Sequence, residues 1–146
     1  MHRILTGVGT DGQSTVLSID PIAEVEAGGS PRVATEIWNS QVLPPKLPYS
    51  RPKRIDAAEI DVGIAEGAAR CIYVSLAPGY EVPMHRTDTY DVAMVIKGEV
   101  DLLLEDGNTV HMAAGDVLVM PCTVHGLRAG PSGCVLTGVA FGIGSP

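Results

Sequence analysis

Charge is scarce in this chain. Only 18% of its 146 residues are Asp, Glu, Lys or Arg, whereas a globular domain ordinarily carries about a quarter. The charge that is present sums to −7. That sign repels phosphate backbones and argues against a nucleic-acid partner. Long apolar runs are also missing: none approaches the roughly 20 residues that cross a bilayer, so no membrane partner is expected. The opening MHRILTGVGT lacks the apolar core and cleavage site of a secretory signal. Cysteine is limited to Cys71, Cys122 and Cys134, with no metal-type spacing, so reduced thiols and a cytoplasmic location are expected. There is no short repeat and no strong helical periodicity.

What the chain does have is 17 glycines, 11 prolines and 45% hydrophobic residues, enough for one core cut by many turns. Short, β-branched, turn-bounded runs dominate. RILTGV (3–8) and STVLSI (14–19) read as a hairpin, and RVATEIW (32–38) as a third strand. The segment 43–54, LPPKLPYSRPKR, holds four prolines that deny the backbone both ladder donors and helix continuation. It reads as a crossover or lid, and it carries Lys46, Arg51, Lys53 and Arg54. Residues 56–70 suit a helical turn or a weak strand. Beyond them, strands are expected at 71–78, 90–98, 98–106, 108–112, 116–121, 123–129 and 134–142, with Asp106-Gly107 as a hairpin turn. Strands spaced about ten residues apart with Gly/Pro turns indicate an all-β sandwich or antiparallel barrel. The expected organisation is one domain over 1–146, with an N-terminal β arm and Pro-rich crossover over 1–55 and a barrel core over 70–142.

Two blocks carry the chemistry. In GYEVPMHRTDTYDVAMVIKG (79–98), His85 and Thr87 lie two apart and share a strand face. The turn-prone Thr87-Asp88-Thr89 then brings Asp91 back beside them. In GDVLVMPCTVHG (115–126), a Gly turn, an apolar strand and Pro121 lead to His125. Two histidines and a carboxylate meeting inside a barrel could form a two-histidine, one-carboxylate metal site with open positions. Arg86 should point away from the pair, and His111 should be exposed. Cys122 lies three residues before His125, which raises a thiolate–imidazole pair as a lesser candidate. Trp38, Tyr73, Ser75 and Tyr90 are further candidates for the pocket wall. Cys71, Tyr73 and Ser75 share one face of their strand, and that face is mildly polar for a core.

These blocks resemble the two motifs of a small single-domain cupin. Gly79, His85, Thr87, Asp91 and Gly98 fall on the spacing of the first motif. Gly115, Pro121 and His125 fall on the second, with the Pro-to-His gap one residue short. The likeness spans about half the chain, roughly 70–142. It implies a jelly roll, or double-stranded β-helix, and N-terminal strands that add to the sheets, with a homodimer as the expected assembly. Metal-binding cupins use three histidines and a glutamate. Here Thr87 stands where the second histidine would be, and Asp91 where the glutamate would be.

From this resemblance, His85, Asp91 and His125 are the expected metal ligands and catalytic groups. Thr87, Tyr73, Ser75, Tyr90 and Trp38 are the expected substrate contacts. Zinc, iron, manganese and nickel suit such a donor set equally. The expected function is a small-molecule enzyme of lyase or isomerase type acting on an oxygenated organic substrate, with metal assistance. An iron-dependent dioxygenase and a non-catalytic ligand-binding barrel are the alternatives.

Overall fold

In a computed structural model of the chain, the described residues are 2–8, 10, 12–22, 29–42, 51–56, 60 and 64–144. The strands among these residues are β1 (His2–Val8), β2 (Ser14–Pro21), β3 (Arg32–Ser40), β4 (Lys53–Ile55), β5 (Ala69–Leu76), β6 (Glu81–His85), β7 (Thr89–Leu104), β8 (Thr109–Ala113), β9 (Val117–Pro121) and β10 (His125–Gly142). β1 and β2 form a separate two-stranded sheet. The remaining strands run in the order β4-β3-β5-β10-β7-β8, with β6 added against β10 and β9 against β7. Every pairing is antiparallel.

Two long strands organise the barrel. The first part of β7, Tyr90 to Met94, pairs with β9, and its last part, Glu99 to Leu103, pairs with β8. The first part of β10 pairs with β6, and its last part, Cys134 to Phe141, pairs with β5. One sheet thus bends over to face itself. Leu76, Val82, Val95, Val100, Leu102, Met112, Met120 and Leu136, drawn from both halves, pack into one core cluster.

The sequence predicts separate strands on either side of Gly98, and again on either side of 130–133. Instead each pair is one continuous strand that turns a corner. Gly98 adopts φ +73°, and a Cβ there would stand 2.1 Å from the Gly133 carbonyl oxygen. A left-handed glycine lets the strand change direction without leaving the ladder. β4 forms within the expected crossover despite its prolines, because Lys53–Ile55 contains none. Arg51, Lys53 and Arg54 are exposed, while Lys46 and the rest of 43–50 lie outside the described residues. In the 56–70 stretch, Ile60 occupies a helical position and its N–H donates to the Asp56 carbonyl at 3.2 Å; residues 57–59 and 61–63 lie outside the described residues. No helix among the described residues is long and apolar enough to cross a membrane.

Candidate functional site

The bent sheet encloses a cavity of about 850 Å³, counted with its open mouth. His85, Thr87, Asp91 and His125 all line it. β6 and β10 are paired so that His85 and His125 stand opposite each other, with ring centroids 4.6 Å apart and planes tilted by 51°.

Each ring is fixed the same way. Nδ1 of His85 lies 2.9 Å from the Pro83 carbonyl oxygen, and Nδ1 of His125 lies 2.8 Å from that of Thr123. A carbonyl can only accept, so both Nδ1 atoms carry the proton and donate. In the neutral ring this leaves the lone pair on Nε2, the atom that can take a proton or bind an ion. Local backbone geometry sets this up at His125. Pro121 ends β9, and Cys122 takes φ 51°, the one non-glycine residue with positive φ among those described. Its N–H donates to the Thr89 carbonyl at 3.0 Å, which ties the turn to β7 and delivers Thr123 to the imidazole.

Asp91 faces the same space from β7. Its Oδ1 is buried with no hydrogen-bond partner. Burial pushes its carboxyl above the ordinary value of 3.8, against the lowering effects of the Thr89 hydrogen bond and of His125, Arg70 and His85. Thr89 must donate when it bonds the ionised carboxylate. Its 2.7 Å contact with Thr87 then has Thr87 as donor, giving a relay from Thr87 through Thr89 to Asp91. Burial also pushes His125 below the ordinary imidazole value. The Thr123 carbonyl works against this, His85 adds to it, and Asp91 works against it. His125 is therefore held in its neutral form at neutral pH.

Two Nε2 atoms and an orphaned carboxylate oxygen share the cavity, but among the described residues no three His, Cys, Asp or Glu side chains draw close enough to hold an ion. The structure brings the two imidazoles together, and Asp91 lines the same cavity. Thr87, past the end of β6, directs its hydroxyl to Thr89.

The expected substrate contacts divide. Thr87 lines the cavity; Tyr73, Tyr90, Trp38 and Ser75 do not. On β5 the cavity face is Arg70, Ile72, Val74 and Leu76, so strict alternation turns Tyr73, 2% exposed, and Ser75, 5% exposed, to the other side of the sheet. Ser75 instead lines a smaller pocket with Lys97 and Cys134. Tyr90 alternates outward between Thr89 and Asp91 and is 42% exposed. A register shift between Glu36 and Trp38 breaks the alternation expected of β3 and pairs Trp38 with Cys71, on the face away from the cavity. As expected, Arg86 points outward, where it meets Asp88 at 3.4 Å. His111 is exposed and lies 3.0 Å from Asp101.

Arg32, Arg70 and Thr89 line the cavity and were not singled out by sequence reasoning. For Arg70 a signal existed: it heads an alternating apolar series on its strand, the ordinary mark of an inward face.

Residues 72–135 match the family model described as Cupin domain. Among curated proteins, a 52-residue segment is 42% identical to Phomopsin biosynthesis cluster protein C' of Diaporthe leptostromiformis, covering 36% of this chain and 28% of that protein. A 126-residue segment is 27% identical to the cupin-domain-containing oxidoreductase fogC of Aspergillus ruber, covering 84% of this chain and 61% of that protein. The matched segments thus span under two thirds of these relatives' lengths. Among solved structures, a protein of unknown function from Rhizobium leguminosarum aligns with TM-score 0.53 at 19% identity, over 80% of this chain and 86% of that one. This last likeness concerns the fold alone.

Proposed function

The chain is a small member of the cupin superfamily, and from that premise we propose that it is an acid–base enzyme acting on a small oxygenated organic molecule held in the barrel. The observation that carries the reading is the pair of imidazoles whose Nδ1 atoms are both committed to backbone carbonyls. That arrangement presents two Nε2 lone pairs, 4.6 Å apart by ring centroid, at one cavity wall. A general base must be unprotonated at working pH and held within reach of the proton it moves. Burial keeps His125 neutral, and its backbone bond fixes the ring.

In this reading Nε2 of His125 takes a proton from a carbon or hydroxyl beside a carbonyl and returns the same proton to the neighbouring atom, while Nε2 of His85 accepts a hydrogen bond from the substrate. Asp91, with the Thr87–Thr89 relay behind it, orients the substrate's oxygen. Isomerisation, dehydration, decarboxylation and cyclisation all fit, because each balances without an external oxidant. A divalent metal bound at the two histidines would polarise the same carbonyl as a Lewis acid. The test is turnover of substrates from a panel of hydroxy and keto compounds. His85→Ala and His125→Ala should each lower it by about 100-fold or more; unchanged turnover in both would end the reading.

A relative named an oxidoreductase favours a second reading, iron-dependent oxygen chemistry in the same pocket. Oxygen consumption after anaerobic loading with ferrous ion separates the two readings.

We further propose a homodimer. Ile4, Val8, Val16, Leu17 and Ile19 of the β1–β2 hairpin are each about half or more exposed, on a sheet that pairs with no other strand among the described residues. A second copy of the chain is the occupant that would cover them.

A further inference from the structure

The outer face of the barrel sheet is only partly covered. Toward β3 and β5 its side chains are buried: Thr35 is 3% exposed and its cross-strand partner Tyr73 2%. Toward β7 and β9 it is bare. Asp91 and Ala93 line the cavity, so alternation turns Tyr90, Val92 and Met94 to the opposite face of β7. Across the ladder Val92 stands beside Val119 and Met94 beside Val117 on β9, and Tyr90 stands beside Phe141 on β10. All six are exposed, from Val92 at 36% to Val117 at 54%, and none can carry a charge at neutral pH. Together they make an apolar patch on the order of 500 Å², near the top of what a monomer ordinarily shows. The β1–β2 hairpin is the second bare apolar surface. Ile4 pairs across it with Ile19, and Thr6 with Val16. Its ion pair, Arg3 with Asp20, is turned the other way, where Arg3 also bonds the Ile37 carbonyl on β3. β5 and β10 lie between β3 and β7, so the hairpin is anchored away from the bare face, and within one chain neither surface covers the other.

We propose that in the dimer the hairpin of each protomer packs on the bare β7–β9 face of the other. This rests on the dimer reading given above and adds the surface that receives the hairpin. Two-fold symmetry makes the contact twice. Hairpin on hairpin would leave both sheet faces exposed, and face on face would leave both hairpins exposed. The crossed arrangement covers all four surfaces with one symmetry operation. The areas agree. The five apolar hairpin side chains, each about half or more exposed, offer a surface of similar size to the patch. Two such contacts bury on the order of 2,000 Å² in all, within the range of stable dimers. Charge agrees as well. Two chains of −7 each repel one another, so the contact of lowest cost is one without charged side chains, and neither surface brings a charge into it.

The experiment is sedimentation of the full chain and of two charged variants. Ile4→Lys with Ile19→Lys disables the hairpin, and Met94→Glu with Val119→Glu disables the face. Each variant alone should dissociate, its dimer constant weakened about 100-fold or more. Mixed in equal amounts they should pair again, because the mixed dimer keeps one native contact and sets lysines against glutamates in the other. Either variant remaining dimeric alone overturns the crossed contact and leaves the dimer itself standing. Variants that stay apart when mixed, beside a dimeric wild type, do the same. A monomeric wild type overturns the proposal and the dimer reading together. If the face variant fails to fold, a mixture of Val16→Cys and Val119→Cys chains is treated with a short bis-maleimide. A linked pair carrying one of each supports the contact, and no such pair above the wild-type background overturns it.

Discussion

The barrel and the β1–β2 hairpin are built from the same β-branched material but satisfy it differently. In the barrel, Val82, Val95, Val100 and Leu102 are at most 6% exposed, packed between two halves of one bent sheet. In the hairpin, Ile4 and Ile19 pair directly across the strands, and each is 63% exposed. What anchors the hairpin is polar. Arg3, 8% exposed, holds Asp20 at 2.8 Å and donates to the Ile37 carbonyl at 3.0 Å. A sheet that folds onto itself buries its own apolar face. A lone hairpin cannot, and two strands are marginal without a partner surface. Among the described residues the cavity lies within the barrel, and the hairpin keeps its apolar side chains exposed.

Four perturbations probe this contrast, from the largest expected effect to the smallest. Gly98→Val should unfold the barrel, costing more than about 4 kcal/mol in urea denaturation, since the new Cβ meets the Gly133 carbonyl at a left-handed φ. A mild effect would mean the corner can relax. Ile4→Lys with Ile19→Lys should abolish self-association in sedimentation, a shift of about 100-fold or more in the dimer constant by loss of two apolar anchors. The barrel's own stability should change by less than about 0.5 kcal/mol, and a dimer that survives would place the interface elsewhere.

Within the barrel, Thr87→His should raise zinc affinity about tenfold or more by adding a third nitrogen beside His85 and His125. If calorimetry shows no gain, position 87 does not address the ion. Asp91→Asn should raise the melting temperature at pH 7.5 by about 2–4 °C. The sign follows from the carboxyl's raised value. As pH rises above 3.8 the unfolded chain ionises first, so wild-type stability falls until the folded carboxyl ionises too. The advantage of the variant should therefore vanish below about pH 3.8. A variant less stable at pH 7.5 would mean that Arg70 and the histidines outweigh burial.

Much of the barrel was legible in the sequence because turns and alternation are local signals. The spacing of His85, Asp91 and His125 within two Gly-bounded blocks located the cavity, and all three line it. What was not legible depended on long-range register. Gly98 and Gly133 look like strand ends to any local reading, and only their close approach reveals a corner. The bulge before Trp38 reverses its facing with no sequence mark. On β5 the polar series Cys71, Tyr73 and Ser75 suggested a binding face, yet the apolar series headed by Arg70 faces the cavity. A barrel interior of this kind is mostly apolar, with few polar groups, so the greasier face was the better guide.

The central claim is that both imidazoles keep Nδ1 protonated against a backbone carbonyl and hold Nε2 open to the cavity. The direct measurement is the side-chain ¹⁵N spectrum of His85 and His125 in labelled protein at pH 7.5, assigned with the His85→Ala and His125→Ala variants. The account predicts Nδ1–H tautomers at both positions, with His125 still neutral at pH values where an ordinary imidazole is half protonated. An Nε2–H tautomer at either ring, or a His125 that titrates above the ordinary value of 6.5, would contradict it.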